Sequence, residues 1–212
     1  MRNSNILVVA STNRHKFEEF QLLFSRYPDI QIAPAQEFLR NAEKLGLVET
    51  SEHYKENAIA KARACNHGCH YPSIADDSGI EVDALNGRPG VRSHRYSTPK
   101  LGETQDQANI KKLLEELKGV PAEKRTARFV CHLALVMEGK TLHVVGTLDG
   151  TIAMEPSGIQ GFGYDPIFIP QGQSKTLAEI GNEMKNKISH RAIAVMNLMD
   201  EIKSQELILA KP

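Results

Sequence analysis

Apolar positions recur along the chain with two periods. Asn5–Ala10 (NILVVA) is a short β-branched run without strict alternation, the pattern of a strand covered on both faces. Phe17, Phe20, Leu23 and Phe24 follow at helical spacing and predict an amphipathic helix. Ile30–Ile32 reads as a second strand, and Ala33–Thr50 as a loop holding a short helix. Ser51–Ala64, with alanines at 58, 60, 62 and 64, reads as a helix that Gly68 and Pro72 bring to a stop. Ser73–Ala75 leads as a strand into an acidic stretch. Two capping-box patterns, Thr104-x-x-Gln107 and Thr176-x-x-Glu179, mark helix starts. Behind the first, Ile110, Leu113, Leu114 and Leu117 form a stripe that ends at Gly119 and Pro121. Thr126–Met137 alternates like a long strand, Glu138-Gly139-Lys140 is a turn, and Leu142–Leu148 returns as a hairpin partner. Val195, Leu198, Met199 and Ile202 give a last helix its buried stripe. Strands interleaved with helices, with a hairpin late in the chain, predict a mixed α/β fold.

Bulk properties narrow the function. The 212 residues are 41% hydrophobic, enough for a sizeable core in one large or two small domains. Basic and acidic residues balance at 26 each, which argues against a dominant nucleic-acid surface but leaves room for a local polyphosphate pocket. Three cysteines give an odd count and no disulfide framework, as in a reducing compartment. The cluster CNHGCHYP is too compressed for a usual zinc site. MRNSNILVVAS lacks the long apolar region of a signal peptide, and no stretch reaches membrane-spanning length. The expectation is a soluble, cytoplasmic protein without a membrane partner.

Three stretches carry candidate chemistry. In Ile74–Tyr96, the carboxylates Asp76, Asp77, Glu81 and Asp83 fall within eight positions. Such groups repel one another unless a cation or hydrogen-bond donors offset the charge, and Mg²⁺ takes such oxygen ligands. A solvated acidic turn is the other reading. Ser11–Lys16 (STNRHK) lies at a strand-to-helix turn, where it either binds phosphate at the helix N-terminus or simply caps the helix through Asn13. In Gly158–Pro170, Phe162 or Tyr164 could stack on a base, or the glycines could serve an ordinary loop. Lys185, Lys187, His190 and Arg191 gather just before the last helix, with Ser189 as its expected N-cap. Cations on a first turn oppose the helix dipole, which a bound anion would offset. Asn57 and Lys61 share one helical face behind Glu49.

These motifs, taken in order and spacing, resemble a known family. STNRHKFEEF, ENAIAKA, IADDSGIEVDALNGRPGVRSHRYS, GFGYDPIF and KNKISHRAIA are similar to the Ham1/inosine triphosphatase family over nearly the whole chain. The resemblance implies a single domain over residues 1–212, an elongated mixed sheet with flanking helices, and two lobes around a central cleft. It implies Mg²⁺-dependent hydrolysis of ITP, dITP and XTP to the monophosphate and pyrophosphate by a homodimer. Carried over by position, Ser11, Thr12, Asn13, Arg14, His15 and Lys16 would hold phosphates. Glu49 and Asp77 would bind metal, with Asp77 also the base and Ser78 contacting substrate. Phe162, Gly163, Tyr164 and Asp165 would line the base site, Lys185 would contact substrate, and His190 and Arg191 would read the purine oxygen edge. Ser51 and Ala192 stand where the family usually has glycine. A Maf-like pyrophosphatase of similar architecture, or a non-enzymatic nucleotide-binding or RNA-binding module with a decayed site, are the competing readings.

Overall fold

In a computed structural model, residues 5–209 are described. Six strands hydrogen-bond in the order β2-β1-β3-β4-β5-β6. These are β1 (Asn5–Val9), β2 (Ile30–Pro34), β3 (Ser73–Val82), β4 (Thr126–Met137), β5 (Lys140–Ile152) and β6 (Phe168–Pro170). The helices are α1 (Arg14–Phe24), α2 (Tyr54–Cys69), α3 (Gln105–Glu116), α4 (Leu177–Ile188) and α5 (His190–Ser204). β1 runs parallel to both β2 and β3, whereas β5 and β6 are antiparallel, so the sheet is mixed as expected. Among the described residues no helix is long and apolar enough to cross a membrane.

The chain divides into two compact units. Of the described residues, 5–77, 131–146 and 191–209 form the first, and 78–130 with 147–190 form the second. The first unit has two apolar clusters. One gathers Leu7, Val9, Phe20, Phe24, Ile74, Leu133 and Leu198, which joins α1 and α5 to one sheet face. The other gathers Val8, Ala58, Ala62, Cys65, Ala75 and Ala134, which joins α2 to the opposite face. Successive residues of β1, β3 and β4 thus fall into different clusters, as the two-residue period of a strand requires. The second unit has its own core, with Ile80, Leu113, Phe129, Tyr164 and Phe168 among its members.

Several element boundaries differ from the periodicity reading. α2 starts at Tyr54 and not Ser51, and it runs one residue past the Gly68 stop signal to Cys69, ending at His70, whose φ of 60° is left-handed. A Cβ on Gly68 would come within 2.6 Å of Leu39 Cδ2. β3 absorbs the acidic stretch as far as Val82, so Asp76 and Asp77 are strand residues and not a turn. Both capping boxes are present, on Thr104 with Gln107 and on Thr176 with Glu179. α4 contains a break at Gly181 (φ 82°, ψ 166°), a conformation essentially restricted to glycine. The three cysteines, Cys65, Cys69 and Cys131, are buried.

A cross-strand histidine pair gives the first unit a pH dependence. His132 Nδ1 and His143 Nε2 lie 3.0 Å apart, and His132 stacks on Tyr54 with centroids 5.3 Å apart. Burial, then the neighbouring His132 and Lys55, push the His143 pKa down to about 4, and burial with Lys55 lowers His132 as well. Below about pH 6.5 the unfolded chain therefore binds protons that the folded chain refuses, so stability falls as pH drops from there towards 4. His143→Gln is expected to flatten the fall in Tm over that window. An unchanged pH profile of Tm would remove the pair from the account.

Candidate active site

The site begins with strand alternation in β3. Ile74 belongs to the cluster under α1 and α5, and Ala75 to the cluster under α2. Two residues on, Asp76 and Asp77 continue the same alternation, so each carboxylate meets a different set of helices.

Asp76 is 1% exposed and sits among cations. Lys16 Nζ is 3.0 Å from its Oδ2, and Arg191 donates to the same oxygen from Nη2 at 3.0 Å and Nε at 3.3 Å. Arg191 Nη1 also donates to Glu19, and the guanidinium lies 5.8 Å from the centroid of the Phe20 ring. Burial alone would lower the Arg191 pKa, but Asp76 and Glu19 outweigh it and raise it, so the guanidinium is firmly charged. These acidic partners, rather than a bound anion alone, offset the cation on the first turn of α5.

Asp77 has different surroundings. Asn57 Nδ2 donates to its Oδ2 at 2.9 Å. The amide of Asn57 is itself fixed by Ser51, which donates from its N to Oδ1 at 3.0 Å and accepts at its O from Nδ2 at 3.0 Å. Lys61 Nζ donates to the Asp76 carbonyl at 2.6 Å and pairs with Glu49. Burial raises the Asp77 pKa, against the pull of Lys61, Asn57 and Lys16, and the Glu49 charge raises it further. A carboxylate whose charged form is incompletely compensated suits proton abstraction or metal binding. Asp76 already has its counter-charges, which separates the adjacent pair into two roles.

Asn13 caps α1, accepting from Lys16 N at 3.2 Å, and Ser11 Oγ accepts from Asn13 N at 3.2 Å. Thr12 is exposed. Arg14 and His15 turn to Glu18 at the surface, at 2.7 and 3.8 Å, whereas Lys16 reaches Asp76. In the second unit, Asp165 Oδ2 accepts from Phe162 N at 2.9 Å and from Lys185 Nζ at 2.5 Å, and both charged side chains are buried. Gly161 is needed there because a Cβ would lie 2.1 Å from Asp165 Oδ2. Lys185 Nζ stands 4.5 Å from the centroid of the Phe162 ring. Tyr164 is buried, with its hydroxyl donating to Ser93 O at 2.8 Å, so Phe162 is the more exposed of the two aromatics. His190 is buried and stacks on Phe129, with centroids 4.8 Å apart and planes at 10°. Ser78 is partly buried on β3 next to Asp77.

Sequence reasoning gives Glu19 no role, and reads Asn57 and Lys61 only as sharing a helix face. Glu19 carries a signal, because it is a carboxylate one turn after Lys16, beside the apolar stripe of α1. The departures from glycine are accommodated locally. Among the described non-glycine residues only His70, Asn86 and Glu206 have positive φ, so Ser51 needs no glycine, and Ala192 packs in the core as part of α5.

A model of the Ham1 family matches residues 7–201. The chain belongs to the Ham1 family. Its relatives agree: a dITP/XTP pyrophosphatase of Geobacillus kaustophilus (strain HTA426) is 45% identical over 197 residues, covering 92% of this chain and 93% of that protein. A dITP/XTP pyrophosphatase of Bacillus subtilis (strain 168) is 46% identical over 194 residues, covering 90% and 93%. Among solved structures, the Staphylococcus aureus Ham1 protein superposes with a TM-score of 0.79 at 36% identity over 94% of this chain and 99% of that one. A HAM1 protein from Coxiella burnetii gives 0.78 at 37% identity, with 94% and 98% covered. The mixed α/β architecture of this Ham1 chain is therefore that of its solved relatives.

Proposed function

We propose that this chain is a nucleoside triphosphate pyrophosphatase that hydrolyses ITP, dITP and XTP to the monophosphate and pyrophosphate, clearing deaminated purines from the nucleotide pool. The relatives that share about 45% of its sequence are dITP/XTP pyrophosphatases. The observation on this chain that carries the reading is Asp77, buried, held by Asn57, and raised in pKa beside a second carboxylate, Glu49, and the lysines Lys61 and Lys16.

This donor set fits a hard divalent cation. Mg²⁺ is commonly bound by one or two carboxylates with phosphate and water completing the shell, and Glu49 and Asp77 supply two. Among the described residues no group of three or more His, Cys, Asp or Glu could hold a metal alone, so the substrate's own phosphates would have to contribute. When bound, Mg²⁺ supplies charge neutralisation across the triphosphate. The protein's own part is distinct. Lys16, with the capped N-terminus of α1 and Ser11, Thr12 and Asn13, offers cation and donors to phosphate oxygens. Asp77 takes the proton of the attacking water, and its raised pKa brings it nearer to the range of an effective base. Asn57 fixes the carboxylate's orientation. Arg14, His15 and Ser78 are assigned to the substrate by likeness to the family.

The base is assigned to the loop Phe162–Asp165 with Lys185 and His190. Phe162 offers a partly exposed ring for stacking. Arg191 has only donors, and so satisfies the 6-oxo group of hypoxanthine or xanthine and leaves the 6-amino group of adenine unmatched. Because its donors lie on Asp76 and Glu19, reading a base requires exchanging one acidic partner for the purine oxygen. The chain is taken as one catalytic domain over residues 1–212, cytoplasmic and homodimeric, acting on free nucleotides rather than nucleic-acid polymers.

Pyrophosphate release from ITP, dITP, XTP, dTTP and UTP, with Mg²⁺ and with EDTA, tests the reading. Turnover of the first three with Mg²⁺, and its loss in EDTA, is expected. Preference for dTTP and UTP would move the chain to a Maf-like activity.

A further inference from the structure

The loop from Gly158 to Asp165 enters its short 3₁₀ turn only at Asp165–Ile167, so its shape before that depends on individual hydrogen bonds. Two of its consecutive backbone N–H groups are held by carboxylates. Phe162 N donates to Asp165 Oδ2, which lies within the loop. Gly163 N donates at 2.7 Å to Oδ2 of Asp106, which lies 57 positions away on the first turn of α3. The difference matters. Asp165 sets the internal curvature of the loop, whereas Asp106 ties it to a rigid element.

That element is well anchored. α3 starts at a complete capping box on Thr104 and Gln107. One turn further, buried Asn109 donates from Nδ2 to Ser93 O at 3.1 Å and His94 O at 3.0 Å. Ser93 O also accepts from the Tyr164 hydroxyl, and Ser93 Oγ accepts from Ile80 N at 2.8 Å. The Phe162–Tyr164 segment is thus held from two sides of one framework, by Asp106 at Gly163 and by Ser93 at Tyr164. Phe162 precedes Gly163 directly. Gly163 has φ 62° with open space where a Cβ would lie, so it is kept by its backbone conformation and not by crowding. A glycine in such a loop has other conformations available, and the Asp106 contact selects one of them.

We propose that Asp106 is a positioning residue for base recognition: its carboxylate holds the Gly163 N–H and thereby fixes the Phe162 ring in its stacking position. The inference rests on the assignment of the base to this loop. Asp106 takes no part in the chemistry, so its removal acts on substrate binding and leaves the catalytic step largely intact.

Steady-state kinetics on ITP with Asp106→Ala, Asp106→Asn, Phe162→Ala and the Asp106→Ala/Phe162→Ala double variant tests it. Asp106→Ala is expected to raise KM about tenfold, the scale of one charge-assisted hydrogen bond, with a much smaller change in kcat. Asp106→Asn keeps an oxygen acceptor at the same place and is expected to recover most of the lost affinity, which also controls for folding. The double variant is expected to resemble Phe162→Ala alone, since both changes act through one ring. A raised KM in Phe162→Ala with unchanged KM in Asp106→Ala overturns this inference alone. Unchanged KM in Phe162→Ala overturns the assignment of the base to this loop, and the inference with it. A fall in kcat at constant KM in Asp106→Ala, not recovered by Asp106→Asn, also overturns it.

Discussion

Asp77→Asn is expected to lower kcat for ITP by about 10²–10⁴-fold, the range of a general base, while substrate affinity changes far less. The substitution is nearly isosteric. Its Oδ1 can still accept from Asn57 Nδ2, so the 2.9 Å contact and the Ser51 clamp behind it survive. What is lost is the charge and the basic lone pair. The same change has a second consequence in the metal-free protein. Burial raises the Asp77 pKa, which means that folding favours the protonated acid over the carboxylate. A group raised in this way contributes its full stability below the unfolded pKa, about 3.9 for Asp, and loses it as pH rises through the folded value. Holding the Asp77 carboxylate charged therefore costs the metal-free wild type stability as pH rises. The neutral variant bears no such cost. Thermal scans without metal should show the variant at least as stable as wild type at pH 7, with any advantage shrinking towards pH 4. Such an exchange of stability for function is common at active sites. Near wild-type turnover in the variant would take the base role from Asp77.

The distribution of roles between Asp76 and Asp77 shows what the sequence could and could not reveal. The pair itself stood out, as did the β-strand apolar residues before it and the helical stripe of α1. Strand alternation then dictated that neighbours on β3 face apart, and that much follows from local rules. Which counter-charges wait on each side did not. Arg191 is 115 positions from Asp76, and no periodicity links them. The face shared by Asn57 and Lys61 was legible as helical geometry, but not its target on β3. The stop signal at Gly68 places the end of α2 to within one residue, at Cys69. The glycine-rich loop was visible as an unusual composition. Its aromatic residues, though, divide by burial: Tyr164 joins the second unit's core while Phe162 stays partly exposed. The buried Tyr164 hydroxyl donates to Ser93 O, 71 positions earlier in the chain.

Arg191→Ala is expected to destabilise the first unit strongly. Arg191 is 2% exposed, Asp76 is 1% exposed, and the Glu19 side chain is only 12% exposed, so truncation leaves carboxylates buried with one cation fewer. Breaking a buried ion pair from one side costs about 3–5 kcal/mol, and in a chain of this size that lowers Tm by about 6–20 °C. Lys16 keeps its 3.0 Å contact to Asp76, which places the loss towards the lower end. Arg191→Lys retains a charge but not the planar fork that reaches Asp76 and Glu19 together, so its Tm should fall between wild type and Arg191→Ala. Selectivity separates the two duties of this side chain. Both variants lose the fork, and the ratio of ITP to ATP turnover should narrow in both, measured at a temperature where each is folded. A lowered Tm with an unchanged ratio would confine Arg191 to holding Asp76. An unchanged Tm in Arg191→Ala would mean instead that the buried carboxylates are compensated without it, by protonation or by Lys16, and the charge assignment around Asp76 would have to be redrawn.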